Sequence, residues 1–208
     1  MKFFKMPTLF RRIFPSKRWH FSSSENNIYL TFDDGPIPEV TPWVLELLKE
    51  NNLKATFFCI GDNVRKHPQI FQQIIDAGHR VGNHTMHHLN GWKTSTENYL
   101  ANIKEAKTYI SSSLFRPPYG KLSRSQTRKI NKEFNIIMWS HLTYDFDATA
   151  DMDVSFKKIT NTLKPGSIIV FHDSLKAEKQ LKIILPKMID WMKNNNFKSA
   201  LIPSDACK

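Results

Sequence analysis

Cysteine is nearly absent from this sequence. Two cysteines in 208 residues provide neither a disulfide framework nor the paired spacing of a structural zinc site. No run reaches the ~18 uncharged apolar residues of a membrane span, and there is no internal repeat. Acidic residues are scarce: the sequence has 19 acidic and 30 basic residues, which gives a net charge of +11. This charge favours anionic surroundings, but no nucleic-acid-binding motif is present, so we expect no nucleic acid partner.

The first 20 residues contain no acidic residue and combine lysine and arginine with aromatic and aliphatic side chains. This composition is typical of a segment that contacts an anionic membrane surface, or of an extension that packs its rings on the domain. Basic residues and Pro7 interrupt the apolar ones, so we expect no secretory signal and a cytoplasmic or peripheral membrane location. We predict a basic aromatic N-terminal extension over 1–25 and one folded domain over 26–208.

Short apolar runs alternate with amphipathic stretches through the rest of the chain. The apolar runs predict strands at 28–32, 55–60, 80–83, 136–139, 167–171 and 198–202. Helical periodicity predicts helices at 42–50, 68–76, 96–111, 123–133, 154–163 and 176–194. Repeating strand and helix units indicate an α/β fold with parallel strands inside and helices outside. Cys59, inside an apolar run, is expected to be a small buried residue.

Two adjacent carboxylates, Asp33 and Asp34, follow the first predicted strand in the stretch TFDDGP at 31–36. Like charges side by side raise each other's pKa unless a cation or a proton is held between them. The pair therefore indicates a metal ligand next to a general base. Asp-Gly-Pro is also ordinary turn chemistry, so the pair alone leaves a purely structural turn open.

Two histidines four residues apart, His84 and His88, lie in the stretch NHTMHH at 83–88. On a helical turn they would share one face and bind one ion together, with His87 pointing elsewhere. A carboxylate from the first motif would complete a set of two histidines and one aspartate, which suits zinc or another divalent metal with an open position. Histidines on a solvated surface are the alternative.

A third stretch, FRPPYG at 115–120, sets Arg116 before two prolines that fix φ and supply no N–H. Such a stiff loop can aim Arg116 or the Tyr119 N–H at a site, although an arginine paired with a surface acid is the simpler interpretation. In parallel barrels, chemistry gathers where strands end. Five candidate residues follow predicted strands: Asp33, Asp34, His84, Asp145 and His172. The preference of polar residues for turns does not readily explain why all five share this position.

Together the three stretches resemble, in order, the motifs of the polysaccharide deacetylase or NodB-homology family, also called carbohydrate esterase family four. The resemblance covers roughly residues 26 to 202. It implies a distorted (β/α) barrel of about seven parallel strands. It also implies that 26–208 is the catalytic domain of a metal-dependent hydrolase, which removes N-acetyl groups from amino sugars of a peptidoglycan- or chitin-like glycan.

The resemblance assigns a role to each matching residue. Asp34, His84 and His88 would bind one divalent metal, with zinc as the first choice and cobalt, nickel or manganese as alternatives. Asp33 would be the catalytic base, and Arg116 would hold it in place and keep it ionised. An activated water, a base, an oxyanion site and an acid are what amide hydrolysis needs.

The remaining roles fall on the second half of the chain. The Tyr119 N–H would stabilise the oxyanion, and His172, in the stretch VFH at 170–172, would be the catalytic acid paired with Asp145. The stretch WSHLTYDF at 139–146 departs from the family pattern, because Leu142 replaces an aspartate and Phe146 replaces a tryptophan. Both changes alter a wall of the expected groove.

Three alternatives stay open at this point. Asp147 can take the place of Asp145 beside the histidine. A related enzyme class deformylates lipid-linked amino sugars at the cytoplasmic face of the membrane, which the basic tail and the altered fourth motif also fit. A carbohydrate-binding protein without turnover is the third, although it would have no need of a full set of base, metal ligands, arginine and acid.

Overall fold

The computed structural model of the protein describes residues 4–7, 13–22 and 25–204. Within this part of the chain the strands are β1 (Asn27–Asp33), β2 (Thr56–Cys59), β3 (Arg80–Asn83), β4 (Leu114–Phe115), β5 (Asn135–Ile136), β6 (His141–Leu142), β7 (Ile168–His172) and β8 (Lys198–Ser199). Seven strands are ordered β5-β4-β3-β2-β1-β7-β6, all in parallel, and β8 pairs with the start of β1. The sheet curls into a half-barrel, so the predicted α/β barrel with about seven parallel strands is confirmed.

Helices connect the strands and cover the outside of the sheet. They are α1 (Thr41–Glu50), α2 (Gly61–Lys66), α3 (Pro68–Asp76), α4 (Thr96–Lys107), α5 (Arg124–Ile130), α6 (Met152–Thr160) and α7 (Glu178–Asn194). Local sequence explains where several of them begin. Pro residues occupy the first turns of α1 and α3, where a missing N–H costs nothing. Ser95, Ser123 and Asp151 accept backbone N–H bonds as N-caps of α4, α5 and α6.

The central strand β1 shows how the two faces of the sheet are used. Side chains alternate along a strand, so every second residue faces the same side. Ile28, Leu30 and Phe32 are fully buried in the largest apolar cluster. Tyr29 belongs to a different cluster on the other face, so this face of β1 points into the barrel. A strand buried on both faces is typical of a parallel sheet.

The segment before β1 pairs with both edges of the sheet. Lys5 forms an antiparallel bridge with β6, and Arg18 forms a parallel bridge with the residue that follows β5. Because β5 and β6 are the two ends of the strand order, the described parts of this segment lie along the open seam of the barrel. Phe4 and Trp19 are buried there.

Several of the shortest elements are not revealed by the sequence patterns. β4 and β6 have two residues each, which is too short for any alternation to be read, and α2 has only six residues. The helix predicted over 96–111 ends at Lys107, before a run of three serines, one of which donates its hydroxyl to the Val81 carbonyl. Cys59 is buried, as predicted. Among the described residues, no helix has the length and apolar character to span a membrane.

Candidate active site

Strand register brings the predicted site residues to one end of the barrel. Asp33, the last residue of β1, is level with His172, the last residue of β7. The last residues of β3 and β4 are also level with each other. His84 and Arg116, which directly follow them, therefore leave the sheet side by side.

Asp34, His84 and His88 form a cluster that fits a metal ion. Their ligand atoms all lie within 4.8 Å of one another. The Asp34 Oδ1 atom is 3.7 Å from His84 Nε2 and 3.2 Å from His88 Nε2. Although this oxygen is buried, it makes no hydrogen bond, and its approach to His88 lacks hydrogen-bond geometry. A buried carboxylate oxygen without a partner is costly unless a cation completes the site, so the observed residues fit a divalent metal.

The protonation of the cluster suits metal binding. His84 Nδ1 is 2.8 Å from the carbonyl oxygen of Arg116, so Nδ1 carries the proton and the lone pair of Nε2 faces Asp34. Burial lowers the pKa of His84 to about 4, which keeps the imidazole neutral. Burial acts to raise the pKa of Asp34, but the nearby His88, His172 and His84 outweigh it and hold this pKa below its ordinary range.

The segment that carries His84 and His88 does not form a helical turn, although the two rings do meet, with centroids 5.1 Å apart. The segment is a loop in which Thr85 (φ 66°) and His88 (φ 53°) are left-handed. Left-handed residues do not belong to a regular right-handed helical turn. His87 is exposed, and its Nδ1 is 2.8 Å from the side-chain amide of Asn102, away from the cluster as predicted.

Arg116 is completely buried and holds Asp33. Its Nη1 donates to Asp33 Oδ1 and to Thr31 Oγ1, both at 2.7 Å. The rest of the guanidinium donates to the backbone carbonyls of Ile137 and Met138 and lies 4.1 Å from the centre of the Phe58 ring. Every part of the guanidinium thus has a partner, which fixes the Asp33 carboxylate next to the metal cluster.

His172 is held by Asp145 rather than by Asp147. The His172 Nδ1 atom lies 2.7 Å from Asp145 Oδ1, and the His172 backbone N–H donates to Asp145 Oδ2 at 2.8 Å. Burial lowers the pKa of His172, but the charge and hydrogen bond of Asp145, together with the smaller effects of the Asp34 and Asp33 charges, raise it to about 9. The Asp147 carboxylate accepts the backbone N–H and hydroxyl of Thr149 instead. His172 is therefore protonated at neutral pH, as a proton donor must be.

Tyr119 lies at the mouth of the site in a left-handed conformation (φ 59°) and is 59% exposed. Its hydroxyl is 3.1 Å from His88 Nδ1. The diproline loop therefore reaches the cluster of Asp34, His84 and His88 through the side chain of Tyr119. The predicted use of the Tyr119 N–H as an oxyanion donor stays a prediction.

A cavity of about 960 Å³ opens over these residues. Six of the eight predicted site residues line it: Asp33, Asp34, His84, His88, Tyr119 and His172. The other two, Arg116 and Asp145, support it from behind. Leu142 and Phe146, the two departures from the family pattern, form part of its wall, and the Phe146 ring meets His172 edge-on at 4.9 Å.

Asp173 is a site residue that the sequence patterns missed. Its side chain accepts the Gly35 N–H at 3.1 Å and the Thr41 hydroxyl at 2.6 Å, and its N–H donates to the Asp33 carbonyl. Burial raises the pKa of Asp173 to about 8. A Cβ on Gly35 would lie 1.9 Å from Asp173 Oδ2, so only glycine fits there. The one sequence signal that could have identified Asp173 as a site residue is its position directly after His172, at the end of a strand.

The chain is similar to known proteins both in sequence and in structure. The family model of polysaccharide deacetylases matches residues 22–139. A peptidoglycan-N-acetylglucosamine deacetylase of Bacillus cereus is 33% identical over 185 residues, which are 85% of this chain and 67% of that protein. A chitooligosaccharide deacetylase of Azorhizobium caulinodans is 35% identical over 160 residues, covering 73% of this chain and 76% of that protein.

The crystal structure of the Bc1960 peptidoglycan N-acetylglucosamine deacetylase matches this fold with a TM-score of 0.84 and 29% identity, covering 96% of both chains. This agreement extends over the whole barrel, and the family model matches more than half of the sequence. The chain therefore belongs to the polysaccharide deacetylase family.

Proposed function

We propose that this protein is a metal-dependent hydrolase that removes N-acetyl groups from amino sugars of a peptidoglycan- or chitin-like glycan. The observation that carries the proposal is the unpartnered Asp34 Oδ1 beside two histidines, next to an Asp33 carboxylate held by a buried arginine. The named activities of its relatives on peptidoglycan and chitooligosaccharides support the substrate class.

Asp34, His84 and His88 would hold the divalent ion, with zinc as the first choice. When bound, such an ion supplies Lewis acidity toward an amide carbonyl and lowers the pKa of water. His84 supports this role because its Nδ1 is tied to the Arg116 carbonyl, which orients Nε2.

Asp33 acts as the base that takes the proton of the attacking water. Its Oδ1 already accepts a hydrogen bond from Arg116, which leaves Oδ2 to accept the proton. His172 acts as the acid that protonates the leaving amine, because Asp145 keeps its ring charged at neutral pH. The Tyr119 N–H is assigned to the oxyanion.

The test is acetate release by the full-length chain from N-acetylglucosamine oligomers and from peptidoglycan fragments, after metal removal and after addition of Zn²⁺ or Co²⁺. We expect acetate only in the metal-loaded samples. Release without metal would contradict the metal-dependent mechanism. If no substrate releases acetate while glycan binding is retained, the proposal that the protein is an enzyme is contradicted.

The deformylase and the non-catalytic binding protein find no support in the comparisons. Contact of residues 1–20 with an anionic membrane, the location and the boundary at residue 25 stay predictions. The membrane contact is tested by deleting residues 1–20 and measuring how much of the protein sediments with anionic vesicles.

A further inference from the structure

An exposed tryptophan lies beside the active-site cavity and is not used by the proposed chemistry. Trp92 is 67% exposed, more than any other large apolar residue in the described part of the chain. Single exposed apolar side chains are common and need no explanation by themselves. Trp92 differs because hydrogen bonds hold both its backbone and its indole ring.

Both N–H groups of Trp92 are bonded to the protein. The backbone N–H donates to Asn90 Oδ1 at 3.0 Å, and the indole Nε1–H donates to the Leu122 carbonyl at 3.2 Å. The indole ring is thus held in one orientation while most of the residue faces solvent. An aromatic surface fixed before binding loses little conformational entropy when a ligand covers it.

The turn that carries Trp92 is also clamped to the neighbouring loop. Gln126 donates through its side-chain amide to the carbonyls of Gly91 and Thr94, at 2.9 and 3.1 Å. A Cβ on Gly91 would lie 2.3 Å from the Lys121 carbonyl oxygen, so this close approach requires glycine. The contacts join Trp92 rigidly to the loop that continues from the site.

Lys121 links Trp92 to the cavity. It lines the cavity, and its Nζ lies 5.1 Å from the centre of the indole ring. Tyr119, two residues earlier, lines the same cavity and is also largely exposed. An aromatic ring, a cation and a second aromatic ring therefore follow one another from the metal cluster to the outer rim.

We propose that Trp92 and Lys121 form a sugar-binding subsite for a unit of the glycan chain that lies outside the reacting sugar. This inference rests on the proposed function, because it concerns the same substrate. The apolar C–H face of a pyranose ring packs on the exposed indole, and the Lys121 ammonium donates hydrogen bonds to hydroxyl or carbonyl oxygens of that sugar. The subsite makes the protein an enzyme of oligomeric rather than short substrates.

The test measures how activity depends on the length of the substrate. The metal-loaded full-length chain is assayed on a ladder of N-acetylglucosamine oligomers from the disaccharide to the hexasaccharide. In Trp92→Ala we expect kcat/KM for the hexasaccharide to fall about tenfold through a higher KM, with the disaccharide unchanged. Trp92→Phe should recover part of the loss, because it keeps an aromatic face.

Tyr109→Ala is the matched control. Tyr109 is 41% exposed and follows α4, outside the residues that line the cavity, so this variant should behave like the wild type at every length. An equal loss at all lengths in Trp92→Ala would show that Trp92 supports the fold and not a subsite. No loss at any length would also overturn the inference.

A second measurement separates this inference from the proposed function. Calorimetric binding of the hexasaccharide needs no turnover and is compared between the Asp33→Asn variant and the same variant carrying Trp92→Ala. Weaker binding in the double variant supports the subsite even if the wild type releases no acetate. Equal binding contradicts the subsite even if acetate release is normal.

Discussion

Asp145 holds His172 at two points, through the backbone N–H at 2.8 Å and through Nδ1 at 2.7 Å. The first contact fixes where the strand end lies, and the second fixes the orientation and charge of the ring. One carboxylate thus positions the His172 imidazole and also keeps it protonated.

Replacing Asp145 by Asn should shift the pH dependence of the reaction. The pKa of His172 is about 9 because Asp145 favours the charged ring, so activity should decline as pH rises through that value. Asparagine removes the charge, and the alkaline limb should move down by about one to two pH units. The measurement is the pH profile of kcat/KM. Asp147→Asn is the control and should leave the profile in place.

Replacing Asp33 and replacing Asp34 should have different effects on metal binding. Asp33→Asn should reduce kcat at least about 100-fold while zinc binding, measured by calorimetry, stays within a few-fold of the wild type. Asp34→Asn should lose zinc binding, since it removes the charge of the unpartnered oxygen. Loss of zinc in Asp33→Asn instead would mean that the two roles are reversed.

Removing Arg116 should destabilise the fold as well as the site. Arg116 and Asp33 are both buried, so Arg116→Leu leaves an uncompensated carboxylate and should cost about 3 to 5 kcal/mol in the free energy of unfolding. Adding Asp33→Asn should recover part of that cost, because the neutral amide needs no cation. Urea unfolding of both variants checks this. If both variants lose the same free energy of unfolding, the loss comes from the packing of Arg116 against Phe58.

The turn after Asp34 should depend on Asp173. Gly35→Ala forces the added Cβ against Asp173 and should weaken zinc affinity about 10- to 100-fold by displacing Asp34. Thr41→Ser keeps the hydroxyl that bonds to Asp173 and is expected to bind zinc normally. Calorimetry on the three proteins measures the difference. Normal zinc affinity in Gly35→Ala would show that the turn can shift without moving Asp34.

Acid should destabilise the protein partly through His79. This residue is buried, its Nδ1 accepts the Ala55 N–H at 3.2 Å, and burial lowers its pKa from 6.5 to about 4. The unfolded chain therefore binds a proton that the folded chain excludes, and stability falls as pH drops from 6.5 towards 4. The slope from this group is at most about 1 kcal/mol per pH unit.

The matched variant is His79→Gln, whose side chain can still accept a hydrogen bond but does not titrate in this range. Urea unfolding at several pH values should give a shallower decline for the variant. His84 contributes a slope of the same sign in both proteins, so the difference between them isolates His79. Identical slopes would contradict the assignment.

The sequence predicted the residues that lie at strand ends. Asp33 and His172 end their strands, Asp34 and His84 directly follow theirs, and parallel register carries such positions to one edge of a sheet. The fold class was also predictable, because short apolar runs and helical periodicity are local signals. Resemblance to a known family added the pairing of Asp145 with His172.

Other features depend on contacts between distant parts of the chain. Asp173 clamps Gly35 only because β1 and β7 are neighbours in one register. The four-residue spacing of His84 and His88 is compatible with a helix, and only the surrounding loop selects left-handed φ values. The exposure of Trp92 depends on a turn held from the other side by Gln126, which no local pattern predicts.

The pairing of Lys5 and Arg18 with the two edges of the sheet has a consequence for any shortened version of the protein. The family match starts at residue 22, which would suggest trimming the chain there. Doing so would remove the partners of β6 and of the residue after β5, leaving unpaired strand edges that template association between molecules. We therefore expect residues before the matched region to influence the solubility of a trimmed chain, and a shortened protein that aggregates would say nothing about its catalytic site.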